Sequence, residues 1–237
     1  FYIDAIAFVP TYNNSLNTIM KYPSIAPKSF TITRRKIFRS EKYYKNKVKY
    51  NIKDKKSLFD LIQIYGWLFE YPKAIDYCNK YLKQSPKDIS IRFLKASLLS
   101  WSGGSKVDDA IKEYKNIIAI DNKNIEARKL LAVLAGWNNR YDEAIKNYKE
   151  IIKIDPKNID AYISLATQYS WKGKVTRALE IFEQAEKIAP DNTKVLHALG
   201  NNYLWSGKPY KALKFFKRII SIDEKDMTAY KKLAALY

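Results

Sequence analysis

The chain has 237 residues, 43 Lys and Arg against 24 Asp and Glu, and a formal net charge of +19 with a single His and a single Cys. One Cys and one His exclude a disulfide framework, a zinc finger and any multi-His metal site built within one chain, and leave His197 alone for any Ser–His–Asp or Cys–His centre. An apolar content of 47% with 28% charged residues is that of a globular chain, and no apolar run approaches the ~20 residues of a membrane-spanning helix.

The sequence opens at Phe1 rather than Met, as a processed or trimmed product does, and stops inside a helical pattern at Tyr237, so the native chain is expected to continue. Residues 1–52 stand apart: Pro10, Pro23 and Pro27 interrupt any long helix, and residues 30–50 are basic and Tyr-rich without clear periodicity. They read as an extended arm or the end of a preceding domain. Residues 1–56 hold 13 basic residues against Asp4, Glu41 and Asp54. The densest run is Arg34, Arg35, Lys36, Arg39 and Lys42, interleaved with Phe38, Tyr43 and Tyr44. Such a run is usually solvated; the partners it would suit are an anionic membrane surface or an acidic protein, with nucleic acid a weaker match.

From residue 53 onward a repeat takes over. The five tryptophans Trp67, Trp101, Trp137, Trp171 and Trp205 are spaced by 34, 36, 34 and 34. Ala74, Ala110, Ala144, Ala178 and Ala212 follow them seven residues on, except the second at nine, where Gly103-Gly104 marks a turn insertion. Pro86, Asn122, Pro156, Pro190 and Glu224 keep the same period. Within each unit the apolar positions follow i, i+3, i+4, i+7, as in Tyr162, Leu165, Ala166 and Tyr169, then break at Lys172-Gly173-Lys174 and resume from Ala178. Two short amphipathic helices per unit cannot bury their faces alone, whereas stacked units can. Ala96, Ala132, Ala166, Gly200 and Ala234 allow close helix approach, and Tyr114, Tyr148, Phe182 and Phe216 fill the space between pairs, with Cys78 in that place in the first unit as a small buried hydrophobe.

A helix–turn–helix unit of this length carrying Leu-Ala/Gly, Tyr, Gly, Ala, Phe/Tyr and Pro in that order resembles the tetratricopeptide repeat. The fourth unit matches through Tyr162, Leu165, Ala166, Tyr169, Gly173, Ala178, Phe182, Ala185 and Pro190; the first and second depart, with Ile62 for the small residue and Lys95 for the Leu. The resemblance implies an all-α, right-handed superhelical solenoid, with repeats at about 53–86, 87–122, 123–156, 157–190 and 191–224 and a further helix over 225–237. It implies a non-enzymatic scaffold or adaptor without cofactor or metal, whose concave groove holds a peptide or helix of another protein.

Carried over by position, the groove comprises Phe59, Gln63, Phe93, Ser97, Lys129, Val133, Ile163, Thr167, His197, Asn201 and Lys231. The chaperone-binding subtype clamps a C-terminal carboxylate, and only Asn201 has the identity it requires. A large aromatic repeated at helical phase implies core, so each Trp is expected to pack into the turn that follows it. The alternative is an exposed rim of indoles for sugar rings or a proline-rich strand. The turns after Trp137, Trp171 and Trp205 also resemble repeats of bacterial polysaccharide-export and envelope scaffolds. That resemblance implies a periplasmic or envelope-associated assembly, such as one of secretion or motility, with the cytoplasm as the alternative, and makes a carbohydrate-handling module the second reading. Asp108-Asp109 and Asp142-Glu143 precede second helices, where acids favour the helix N-terminus before they suit a metal.

Overall fold

A computed structural model describes the backbone from Lys28 and the side chains from Arg39, both through to Tyr237. Among the described residues the chain is helical, with twelve α-helices and one short 3₁₀ turn, and no strand. They are α1 (Lys28–Tyr50), α2 (Lys55–Trp67), α3 (Tyr71–Gln84), α4 (Ile89–Ser102), α5 (Val107–Ile120), α6 (Ile125–Trp137), α7 (Tyr141–Ile154), α8 (Ile159–Trp171), α9 (Val175–Ile188), α10 (Thr193–Trp205), α11 (Pro209–Ile222) and α12 (Met227–Ala234). The chain forms two compact units, one up to Glu113 and one from Tyr114.

Two local devices generate the period. Each first helix starts at a capping carboxylate or amide: Asp54, Asp88, Asn124, Asn158, Asn192 and Asp226 accept from backbone N–H groups two or three residues on. Each such cap is worth about 1 kcal/mol. Three residues earlier, Asn51, Asp121, Asp155 and Asp223 accept from the backbone N–H of Lys53, Lys123, Lys157 and Lys225, which closes the turn before the cap. At the other end, four of the first helices, α2, α6, α8 and α10, terminate in a Schellman turn. The backbone N–H groups of Glu70, Arg140, Lys174 and Lys208 reach back five residues to the carbonyls of Tyr65, Ala135, Tyr169 and Tyr203. The residue before each of them is left-handed: Phe69 at φ 58°, Asn139 at 60°, Gly173 at 78° and Gly207 at 67°. The Gly103-Gly104 insertion becomes the 3₁₀ turn Gly104–Lys106 and leaves the helices on either side intact.

The N-terminal unit is centred on Leu58, Leu61, Ile62, Tyr65, Ala74, Cys78, Ile91 and Leu98, all essentially inaccessible. Burial pushes the Cys78 thiol up to about 12, so it behaves as a small hydrophobe, as expected. Residues 28–50 form a helix, which corrects the extended arm and leaves the other reading, the end of a preceding domain, as it stood; Val48 and Tyr44 pack onto this core while the Tyr65 hydroxyl donates to Glu41 at 3.0 Å. Among the described side chains of this helix, the packed face (Glu41, Tyr44, Val48) has helical spacing but only one aliphatic residue. Burial, with Glu41 assisting, raises the Tyr65 phenol well above its ordinary range.

In the C-terminal unit Ala144, Ala166, Ala178, Ala212, Phe182 and Phe216 are buried at the expected places, as are Tyr114 and Tyr148. Ala234 is exposed. Gly200 shows how close the approach is: a Cβ there would stand 2.7 Å from the Phe216 ring. Gly200→Ala is therefore expected to destabilise by about 1–3 kcal/mol through overpacking, against at most ~1 kcal/mol gained in helix propensity. Urea denaturation monitored by circular dichroism measures the balance.

Candidate functional site

The predicted groove residues all lie on the first helices of the pairs. In the C-terminal unit, Asn124 and Asn158 start α6 and α8 in equivalent register. Between these helices lies a cleft of about 230 Å³, lined by Ile125, Glu126, Lys129 and Val133 from α6 and Asp160, Ala161 and Ser164 from α8. Tyr148 and Ile151 of α7 also line it. Both are buried, and burial raises the Tyr148 phenol, so the base of the cleft is uncharged. Its rim is charged but weakly paired, with Lys129 3.8 Å from Glu126 and Lys194 3.7 Å from Asp160. An apolar base under mixed charges suits an amphipathic segment.

The structure distributes the predicted groove residues unevenly. Val133 and Lys129 line the cleft. Phe59, Gln63, Phe93, Ile163, Thr167 and Asn201 are half-buried and Lys231 is exposed. The Thr167 hydroxyl donates to its own helix at the Ile163 carbonyl, 2.8 Å away. Ser97 is buried, at 9% exposure, the least accessible of the predicted groove residues. His197 is half-buried, with Nε2 2.7 Å from Asp226 Oδ2. This contact, first among several hydrogen bonds, holds the Asp226 carboxyl below its ordinary range while Asp226 caps α12. His197 therefore joins α10 to the start of α12.

The small residues before the tryptophans have a structural reason. Gly136 faces Gln168 of α8 so closely that a Cβ would lie 2.4 Å from its side-chain oxygen. One repeat on, the Ser170 hydroxyl donates to Asn202 Oδ1 at 2.6 Å. Gln168 and Asn202 are both buried, and Gln168 Oε1 has no hydrogen-bond partner. Sequence reasoning missed this pair; the available signal was an amide where other units carry Ile64, Leu98 or Leu134.

The tryptophans divide. Trp67 and Trp101 are half-buried, Trp101 against the N-terminal core, whereas Trp137, Trp171 and Trp205 are 45%, 46% and 70% exposed. The expectation that each Trp packs as core fails for these three. The preceding residue does not decide the difference, since Gly66 and Ser100 precede the half-buried pair and Leu204 the most exposed indole. Of the basic run, Arg39 and Lys42 lie exposed on α1, and the side chains of Arg34, Arg35 and Lys36 lie outside the described residues. Asp108-Asp109 and Asp142-Glu143 occupy first turns of α5 and α7, and among the described residues no cluster of acids, His and Cys could hold a metal ion.

Paired helices with capped starts, Schellman ends and a small-residue seam define a helical repeat solenoid, and comparison with known proteins identifies its kind. The tetratricopeptide repeat family matches residues 105–169 and 172–237, more than half of the chain, which therefore belongs to that family. A TPR repeat-containing protein of Methanocaldococcus jannaschii is 39% identical over 61 residues. That stretch spans 26% of this chain and only 18% of the relative. Among solved structures, MamA is similar with a TM-score of 0.60 at 23% identity, covering 72% of this chain and 92% of MamA. YrrB, described as a TPR protein with an unusual peptide-binding site, is similar with a TM-score of 0.59 at 13% identity over 81% of this chain and 97% of YrrB. These likenesses establish the fold class as an all-α tetratricopeptide solenoid, a scaffold fold compatible with protein–protein interaction.

Proposed function

We propose that this protein is a non-enzymatic adaptor that holds an amphipathic peptide or helix of another protein against its first helices, centred on the cleft between α6 and α8. The observation that carries this reading is the cleft itself, an uncharged base of Tyr148 and Ile151 framed by Val133, Lys129 and Asp160. A helix laid in such a groove buries apolar anchors while the rim charges set its direction. The peptide-binding site described for YrrB supports the same use of this fold. We place the adaptor in a larger envelope or motility assembly of a bacterium, on the resemblance of the Trp137, Trp171 and Trp205 turns. The basic face of α1, with Arg39 and Lys42, would add an acidic partner or anionic membrane surface.

A photoactivatable amino acid placed at Val133 tests the groove. It should cross-link a discrete protein in extracts of the native organism, whereas the same group at exposed Glu180 on α9 should not. Equal labelling from both positions would remove the groove from consideration.

A further inference from the structure

At the opposite ends of the first helices, the C-terminal unit repeats a second constellation. Trp137, Trp171 and Trp205 stand exposed, and each is followed three residues later by an exposed cation, Arg140, Lys174 or Lys208. The Schellman turn between them is the same each time, with the cation's own N–H bonded back across the turn at 2.8–2.9 Å. Indole and cation therefore recur in one fixed relation. The N-terminal unit lacks this pattern: Trp67 is half-buried and followed by Glu70, and Trp101 packs on the core before an inserted turn. Acidic side chains near these turns are engaged, Asp142 with Lys172, Glu143 with Lys115 and Glu180 with Arg177. Asp142 stays largely exposed near Lys174, but cations outnumber acids around these turns, and with the indoles the surface is aromatic and net positive.

The spacing restricts what fits. The Gly136–Gln168 and Ser170–Asn202 contacts place successive first helices side by side. Packed helices lie roughly 8–10 Å apart. A polyproline II strand advances about 9 Å per turn of three residues and presents one residue of each turn to the same side. Its rings dock on aromatic surfaces at low entropic cost, since the strand is already extended. We propose that the Trp137–Trp171–Trp205 ladder is a second docking surface, distinct from the groove, for a proline-rich segment carrying one acidic residue per turn. Prolines seat against the indoles, and the acids reach Lys174 and Lys208.

The test uses the full chain and a fluorescent Pro-Pro-Glu repeat peptide of about 15 residues, five turns at three residues each, followed by anisotropy. Pro-Pro-Glu should saturate, a Pro-Pro-Lys peptide should not bind, and a flexible Gly-Ser-Glu peptide should bind at least ~10-fold more weakly because it pays the ordering entropy. Trp171→Ala should weaken Pro-Pro-Glu by about 10-fold, the scale of 1.4 kcal/mol per decade, with the melting temperature unchanged. Lys174→Glu with Lys208→Glu should abolish binding, whereas Lys187→Glu, remote from these turns, should have little effect. Three results would overturn the proposal: equal affinity for Gly-Ser-Glu, no loss in Trp171→Ala, or binding of a uronic-acid polysaccharide with none of Pro-Pro-Glu.

Discussion

Phe216→Ala will cost about 3–5 kcal/mol, while Trp205→Ala, which removes the larger ring, will cost within about 0.5 kcal/mol. Phe216 is wholly inaccessible, wedged against Gly200 and within 6.2 Å of the His197 ring, so its truncation leaves a cavity that a closely packed seam cannot collapse. Trp205 is 70% exposed and leaves mostly water-filled space behind. In a repeat protein each pair contacts only its neighbours, so the Phe216 loss falls on the α10–α11–α12 end and lowers its unfolding midpoint first. Circular-dichroism urea melts of the two variants measure this directly. Equal destabilisation by both would mean that the indole belongs to the core and would leave the docking ladder without a basis.

This contrast also marks where the sequence was readable. The small and aromatic slots at Ala178, Ala212, Phe182 and Phe216 could be assigned because each must fill one volume at one helical phase, and residue size reports that constraint. The tryptophans obey the same period for another reason. Phase says that a side chain recurs in one direction, and not whether that direction is inward. The helix Lys28–Tyr50 escaped notice; among its described side chains the packed face is built from Glu41, Tyr44 and Val48, where a hydrogen bond to Tyr65 replaces an aliphatic contact. The cap series from Asp54 to Asp226 was a stronger signal than the prolines, since it continues through every unit. Of the candidate site, position on the first helices could be read. Whether a side chain there is paired within its own turn, like Lys129 with Glu126, or bonded to a distant element, like His197 with Asp226, depends on neighbours that can lie some thirty residues away.

Glu113→Ala will destabilise the N-terminal unit by about 3–5 kcal/mol, and an apolar exchange of Glu113 together with Lys95 will cost less. Glu113 is buried, with Arg92 at 2.6 Å and Lys95 at 2.7 Å on its two carboxylate oxygens. Lys95 stands where the other units have Leu61, Leu131, Leu165 and Leu199, and Glu113 where later units have Ile181 and Phe215. The second repeat has thus replaced an apolar contact with a charged one. Removing the carboxylate alone strands two cations that are each more than four-fifths buried, and their desolvation is then uncompensated. Lys95→Leu with Glu113→Ile restores the contact made elsewhere in the array. Arg92 keeps its bond to the Pro86 carbonyl at 2.8 Å in that double variant. The double variant should recover part of the Glu113→Ala loss, because Lys95 no longer has to be dehydrated, while Arg92, left without its carboxylate, retains the rest of the cost. Urea melts of the single and double variants form a cycle whose sign decides the question. A double variant as unstable as Glu113→Ala would show that the charged pair holds α4 in place in a way that packing alone does not.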